Sequence, residues 1–313
     1  AILDLSFRIN GEPVKRDRVE DYFDNEGRIP IPLKYYGAHT GRWAGLDAVN
    51  FQNLPSRDPK KKALKKAIIP PEGYVVINSD SSQIEARVLA WLAGQEDVVK
   101  QFADKQDVYS VFASTVYNRP ISKANPTERF VGKTCILGLG YGTGAYKLMV
   151  TLATSQPISV KIDEIESKRI VDLYRETNDK IVDLWAEGDA MLSDMLNGSF
   201  KNGPKAFGKH GCVLYDAEGI ILPNGLRIRY PGLRRETIDN KSQIVYDSRK
   251  GPVSIWGGTI VENVVQGLAR IVVGEQMLEI NDIHRVVLTV HDAAVVVVAD
   301  DELAKAVETI TGL

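Results

Sequence analysis

The chain has 313 residues, 44% hydrophobic and 26% charged, enough to bury one large core or two to three subdomain cores. No apolar run reaches the roughly 20 residues of a membrane-spanning helix, and the opening AILDLSFRINGEP lacks the basic-then-apolar layout of a signal peptide, so an intracellular location is expected. The formal net charge of -2 means that a nucleic-acid partner has to be held by a local basic surface, and Cys135 and Cys212, far apart and without CxxC spacing, argue against a disulfide framework or a zinc site and read as buried small residues.

Residues 1–34 mix charged and apolar residues around Pro13, Pro30 and Pro32 without a period, which predicts short irregular elements packed on something larger. From Tyr35 the stretch YYGAHTGRWAGLDAVNFQNLP is rich in Gly, aromatic and amide residues. That texture suits loops approaching a flat or polyanionic ligand, with Arg42, Asn50, Gln52, Asn53 and Arg57 as candidate contacts. The run DPKKKALKKA is either a solvated face or a phosphate contact.

Tyr74 to Ile77 reads as a buried strand that delivers Asp80 into a polar turn. A helix follows from about Ser82, with Ile84, Val88, Trp91 and Leu92 on its apolar side and Glu85 near its start, where the macrodipole favours an acid. Residues 97–118 are helical in pattern. Pro126 and Thr127 then open a helix running to about Tyr141, along which Arg129, Lys133, Leu137 and Tyr141 recur every four residues and share a slowly drifting face. GLGYGTG is not a dinucleotide loop, because it follows a helix rather than a strand; its glycines suit a sharp break close to a ligand.

Between Asp163 and Leu196 two amphipathic helices are expected, the first opened by a capping box at Asp163 and Glu166, with Ile170, Leu173, Tyr174, Ile181, Leu184 and Trp185 as core. Asn197 to Gly211 reads as a loop, ILPNGLRIRYP as a hairpin turning at Asn224-Gly225, and ETIDNKSQIVYDS as one or two further strands. Thr259 to about Ile280 is a long helix with a polar stripe of Glu262, Gln266 and Arg270, suited to a minor groove or to solvent. Val286 to Val290 and Val295 to Val298 form a hairpin with Asp292 at its tip, and Asp300 opens a last helix. Two carboxylates at strand ends and two cations on a helix between them are the parts of a metal-assisted phosphoryl transfer.

In this order the segments resemble the polymerase region of a family A DNA polymerase, the group of bacterial DNA polymerase I and many bacteriophage replicases. DSSQIE at Asp80 to Glu85 is similar to the DYSQIE core of motif A, Arg129 to Gly142 to the RxxxKxxx[FY]GxxYG of motif B, and Val290-His291-Asp292 to motif C. TGR at Thr40 to Arg42 and QNLP at Gln52 to Pro55 match two primer-template segments, so five motifs stand in the correct order across about 250 residues.

The resemblance implies an α+β, right-hand fold with an antiparallel palm sheet, helical fingers and a thumb that is truncated or incomplete. It places an N-terminal thumb-side or palm-side segment at 1–36, the palm at 37–90 and 251–313, and the fingers at 91–250. It implies template-directed addition of dNTPs to a primer 3′ hydroxyl. Asp80 and Asp292, with the Ser81 carbonyl, would hold two Mg²⁺ ions, for which Mn²⁺ can substitute. Arg129 and Lys133 would bind the triphosphate, Leu137, Tyr141 and Gln83 would line the nucleotide site, and Glu85 would be the gate against a ribose 2′ hydroxyl. Arg42, Asn50, Gln52, Asn53, Arg57, Gln266 and His291 would contact primer-template DNA, and accessory replication proteins are compatible as further partners, with no membrane.

Several positions depart from the family pattern. Leu137 replaces an aromatic residue and implies altered discrimination against dideoxynucleotides; Ser81 replaces the motif A tyrosine, and Ala293 the motif C glutamate. Little precedes the TGR segment where a helical thumb belongs, and only 21 residues follow Asp292, fewer than is usual for the family; with no room for an N-terminal 3′ to 5′ exonuclease domain, no proofreading is expected of this chain. The alternative expectation is a non-catalytic relative that binds primer-template. An RNA polymerase of the related single-subunit type is disfavoured by Glu85.

Overall fold

The computed structural model describes residues 8–9, 12–13, 31–46, 50–53 and 69–312. They fall into two compact units, one drawn from the chain up to Ser82 and from Val272 onward, the other from Gln83–Ile271.

In the first unit, β1 (Arg8–Ile9) pairs with β2 (Glu12–Pro13), and β3 (Leu33–Lys34) with β4 (Ala44–Gly45), both antiparallel. A single turn of 3₁₀ helix follows at Phe51–Asn53. The strand β5 (Tyr74–Asp80) is longer than its apolar run and is not buried on both sides: Tyr74, Val76, Asn78 and Asp80 are exposed, while Val75, Ile77 and Ser79 are half-buried. The reason is its place at the edge of a three-stranded antiparallel sheet covered on one face, which leaves every second residue open.

The second unit begins with α1 (Ile84–Ala93), α2 (Glu96–Ala103) and α3 (Val108–Tyr117), so the expected helical stretch at 97–118 is two helices. Next come α4 (Pro126–Leu139), α5 (Ala145–Thr154), α6 (Glu164–Thr177) and α7 (Asp179–Asn197). Asp163 caps α6 as the sequence pattern requires, its carboxylate accepting from the Glu166 amide at 2.8 Å. Two small antiparallel sheets follow. The first is β6 (Lys205–Phe207), β7 (Val213–Asp216), β8 (Gly219–Ile221) and β9 (Arg227–Ile228), so the segment expected as a loop contains a strand. The second is β10 (Arg234–Ile238), β11 (Lys241–Ser248) and β12 (Gly251–Ile255). Asp239 and Asn240 both adopt positive φ at the β10–β11 turn, the conformation a tight two-residue hairpin demands.

The main core of this unit joins α1, α7, these strands and the first part of α8 (Gly257–Ile283) through Leu92, Leu184, Met191, Phe207, Ile228 and Val264. A second core ties α3 to α6 around Val131, Cys135, Leu139 and Tyr174. Of the expected α6–α7 stripe, Ile170, Tyr174, Ile181, Leu184 and Trp185 are buried, and Leu173 packs at the edge. Trp91 does not join the core: 39% exposed, it stacks on His210 at 4.2 Å. Cys135 is buried but Cys212 only half-buried.

From Val272 the rest of α8 belongs to the first unit, followed by β13 (Val286–Val290), β14 (Ala293–Ala299) and α9 (Leu303–Gly312). Strand order is β13-β14-β5. Ile280, Ala306 and Ile310 from the helices close over Val296 and Val298 of the sheet, with Val75 and Ile77 alongside. Each fully buried valine contributes about 1.5–3 kcal/mol. That burial fixes the register of the sheet, because a one-residue slip would turn β14 inside out. Among the described residues no helix is long and apolar enough to cross a membrane.

Candidate active site

Register brings the two carboxylates together. Val290 pairs with Ala293, leaving His291-Asp292 as a two-residue loop, and Ala293 in turn pairs with Asp80 across β14 and β5. His291 takes φ +57° to make the turn and is exposed. The Ser81 amide donates to the Asp292 carbonyl at 2.9 Å, tying the end of β5 to the hairpin tip. The Asp80 carboxyl is partly withdrawn from water although the residue as a whole is exposed. That withdrawal, then the charge of Asp292 and a hydrogen bond with it, raises the Asp80 pKa above the ordinary carboxylate value. The residue directly opposite Asp80 on the same face is the buried Ala293, whose methyl group contributes no carboxylate to the pair.

Several expected primer-template residues lie in the same unit. Arg42 is half-buried, and its carbonyl accepts from the Ala38 amide at 3.0 Å, closing the TGR turn. The Gln52 side chain is buried, and its amide donates to the Thr289 carbonyl of β13 at 3.2 Å, so this donor is used inside the protein. Asn50 accepts from the Gln52 backbone amide at 3.0 Å. Asn53 ends the 3₁₀ turn, its side chain outside the described residues, as are Arg57 and the lysine run.

The other expected residues are carried by the second unit. Arg129 on α4 is gripped by Asp107, with Nε to Oδ2 at 2.6 Å and NH2 to Oδ1 at 3.1 Å, and its guanidinium lies 5.3 Å from the Tyr109 ring centre. Lys133 and Leu137 follow on the exposed side of the helix, opposite buried Val131, Cys135 and Leu139. Gly132 lets α3 and α4 meet: a Cβ there would stand 2.1 Å from the Tyr109 carbonyl oxygen.

Tyr141 is not on the helix, which ends at Leu139; it follows in the turn, half-buried against the main core. The Trp185 indole N–H donates to the Gly140 carbonyl at 2.9 Å, and a Cβ on Gly142, at φ +76°, would lie 2.2 Å from the Trp256 ring. The close neighbour of this glycine is therefore an indole of the same unit. Gln83 caps α1 in the left-handed conformation, and Glu85 sits half-buried in its first turn. On α8, Gln266 donates to Glu262 at 3.2 Å.

Asp107, Trp256 and Gln276 were not singled out from sequence. Asp107 stands just ahead of α3, an ordinary place for an acid. Gln276, whose Oε1 accepts from the Ser81 hydroxyl at 2.7 Å, is one polar residue on a long helix. Only its pairing with a turn 195 residues away distinguishes it.

The fold matches that of a polymerase domain: the POL domain of Pol1 from M. smegmatis, solved in complex with DNA primer-template and dNTP, superimposes with a TM-score of 0.68. The match covers 94% of this chain and 46% of that one, at 22% identity. Residues 16–190 match the model of DNA polymerase family A. The chain is 31% identical over 332 residues to the DNA polymerase of Bacillus phage SP02, covering 92% of this chain and 50% of that protein. It is also 31% identical over 155 residues to the thermostable DNA polymerase I of Thermus aquaticus, covering 50% of this chain and 18% of that protein. The chain belongs to DNA polymerase family A. It spans about half the length of the phage relative.

Proposed function

We propose that this chain is the polymerase region of a template-directed DNA polymerase, adding dNTPs to a primer 3′ hydroxyl with release of pyrophosphate. The observation that carries the reading is the Asp80–Asp292 pair, joined through the Ser81 amide in a family A chain. Oxygen donors alone, two carboxylates and the Ser81 carbonyl, suit a hard divalent cation. The Asp80 pKa is raised first by loss of water and then by the Asp292 charge, and a cation would offset both. Asp80, Asp292 and Ser81 would thus hold two Mg²⁺ ions, with Mn²⁺ as a substitute. When bound, Mg²⁺ lowers the pKa of the primer hydroxyl and offsets charge on the triphosphate.

The residues of the chain supply the remainder. The 3′ oxygen forms its bond to the α-phosphorus as the bond to the β-phosphate oxygen breaks, and the hydroxyl proton leaves to solvent. Arg129 and Lys133 hold the triphosphate. Glu85, Gln83, Leu137 and Tyr141 shape the nucleotide site, with Glu85 excluding a 2′ hydroxyl. Arg42, Asn50, Asn53, Arg57, Gln266 and His291 follow the primer-template by shape rather than sequence, while Gln52, buried and bonded to Thr289, braces the loop that carries Asn50 and Asn53. In this assignment the unit built on β5, β13 and β14 is the palm, and the helical unit between them the fingers. The reaction belongs in the cytoplasm of a bacterium or a phage-infected cell, and these 313 residues extend primers without excising mispaired ends.

Ala293 opposite Asp80 favours one second reading, a relative that binds primer-template without catalysis. Primer extension with dNTPs against rNTPs, with and without Mg²⁺, separates the two. Extension with dNTPs that requires Mg²⁺ supports the polymerase; binding of primer-template without extension supports the second reading. Excision of a mispaired primer end in the absence of dNTPs would overturn the absence of proofreading.

A further inference from the structure

The turn after Asp80 needs an external restraint. It leaves the β5 ladder at Ser81 and reaches the start of α1 only through a left-handed Gln83, a conformation unfavourable for a residue with a side chain. Two hydrogen bonds from Ser81 supply that restraint. Its amide donates to the Asp292 carbonyl at 2.9 Å, and its hydroxyl donates to Gln276 Oε1 at 2.7 Å. Gln276 is well placed to serve as a fixed point. Its helical neighbours Val273 and Ile280 are buried, and Met277 and Ile280 pack into the same core as Val296 and Val298 of the sheet.

We propose that Gln276 is a positioning residue for the carboxylate pair, acting through the Ser81 hydroxyl to set the direction of the Ser81 peptide. The inference rests on the reading of Asp80, Ser81 and Asp292 as a cation site. The planar peptide between Asp80 and Ser81 is already oriented by the bond to Asp292. What remains free is rotation about the Ser81 backbone, which decides where the Ser81 carbonyl points. A serine hydroxyl anchored to a helix packed on the sheet core restricts that freedom, which an alanine at 81 or 276 would restore. Loss of such a bond changes cation affinity by about three- to ten-fold.

The experiment is Mn²⁺ binding to the full chain, followed by the paramagnetic resonance of free Mn²⁺ without nucleotide or DNA. Wild type, Ser81→Ala, Gln276→Ala, the double variant, Ser81→Thr and Asp80→Ala are compared, and circular dichroism confirms folding. Ser81→Ala and Gln276→Ala should each weaken Mn²⁺ binding by about three- to ten-fold. The double variant should be no worse than either single one, and Ser81→Thr, which keeps the hydroxyl, should retain near wild-type affinity. If Gln276→Ala does not fold, Ser81→Ala against Ser81→Thr carries the comparison alone.

Wild-type binding that Asp80→Ala abolishes but Ser81→Ala and Gln276→Ala leave unchanged overturns this inference and leaves the cation site standing. Additive losses in the double variant overturn it as well. A wild-type chain that binds no Mn²⁺ removes the cation site and this inference together.

Discussion

Arg129 and Asp107 form a two-point ion pair between α4 and the residue just ahead of α3, with donor–acceptor distances of 2.6 and 3.1 Å. Burial alone would raise the Asp107 pKa. Hydrogen bonds from Arg129 and then Ser110, with the charge of Arg129, outweigh it and leave the carboxyl below its ordinary value. A depressed folded-state pKa gives stability that is present above ~3.9 and lost as pH falls through the lower folded value, so the pair is fully formed at neutral pH.

Arg129→Ala removes the anchor between α3 and α4 and, on the proposed assignment, a triphosphate contact. The KM for dNTPs should rise by about ten-fold, the scale of a lost hydrogen bond to a charged group. Arg129→Lys should also be impaired, because an ammonium cannot reproduce the two-point grip. Steady-state kinetics on a primed template check both, and an unchanged KM in Arg129→Ala would count against the triphosphate role.

The metal-free chain should carry a pH signature of the carboxylate pair. The Asp80 pKa is raised by loss of water and then by the Asp292 charge, so this group favours the fold below ~3.9 and loses that contribution as pH rises through the higher folded value. Above that value both charges are present and repel. Asp292→Asn should accordingly melt at a higher temperature than wild type at pH 7 without divalent cations, with the gap closing as the solution is acidified through the Asp80 transition. Adding Mn²⁺ should raise the wild-type Tm far more than that of Asp292→Asn. Equal melting temperatures at pH 7 without metal would show that the repulsion is not felt.

Ala293→Glu puts a carboxylate directly across the ladder from Asp80. Like charges at such a position cost up to about 1 kcal/mol, and the buried site adds strain. Metal-free stability should fall and Mn²⁺ affinity should rise, both measurable in one thermal melt series with and without cation. Unchanged values of both would mean that residue 293 does not face the pair.

Leu137 follows Lys133 on the exposed side of α4 and is 41% exposed. On the proposed assignment of residue 137 to the nucleotide site, a tyrosine there would offer a hydroxyl in place of a missing sugar 3′ hydroxyl. Leu137→Tyr should increase incorporation of dideoxynucleotides relative to dNTPs in a competition assay on a primed template. Identical ratios would remove residue 137 from sugar recognition.

The parts of this arrangement legible in the sequence are those with a strong local signal. The apolar run at Tyr74 to Ile77, the four-residue recurrence on α4 and the paired valine runs around His291-Asp292 point to β5, α4 and the β13–β14 hairpin. What pattern did not convey depends on neighbours distant in sequence. Nothing near Gly142 announces the Trp256 ring that covers it, and the helix ends at Leu139, two residues before the four-residue recurrence does. Trp91 has a core residue's spacing on α1, yet it stacks with His210 at the surface. The amide-rich texture around Gln52 suits a ligand contact, yet its donor is held by the Thr289 carbonyl, 237 residues away. Gln276 gave no periodic signal, since a single polar residue on a long helix is ordinary.

The most direct test of the central claim is primer extension on a primed DNA template with dNTPs and Mg²⁺ by wild type, Asp80→Ala and Asp292→Ala. Wild type should extend the primer, and each variant should lose about a thousand-fold or more of the rate, the scale of several kcal/mol of charge stabilisation. Extension that survives both substitutions would contradict the assignment of Asp80 and Asp292 as the residues that hold the catalytic cations.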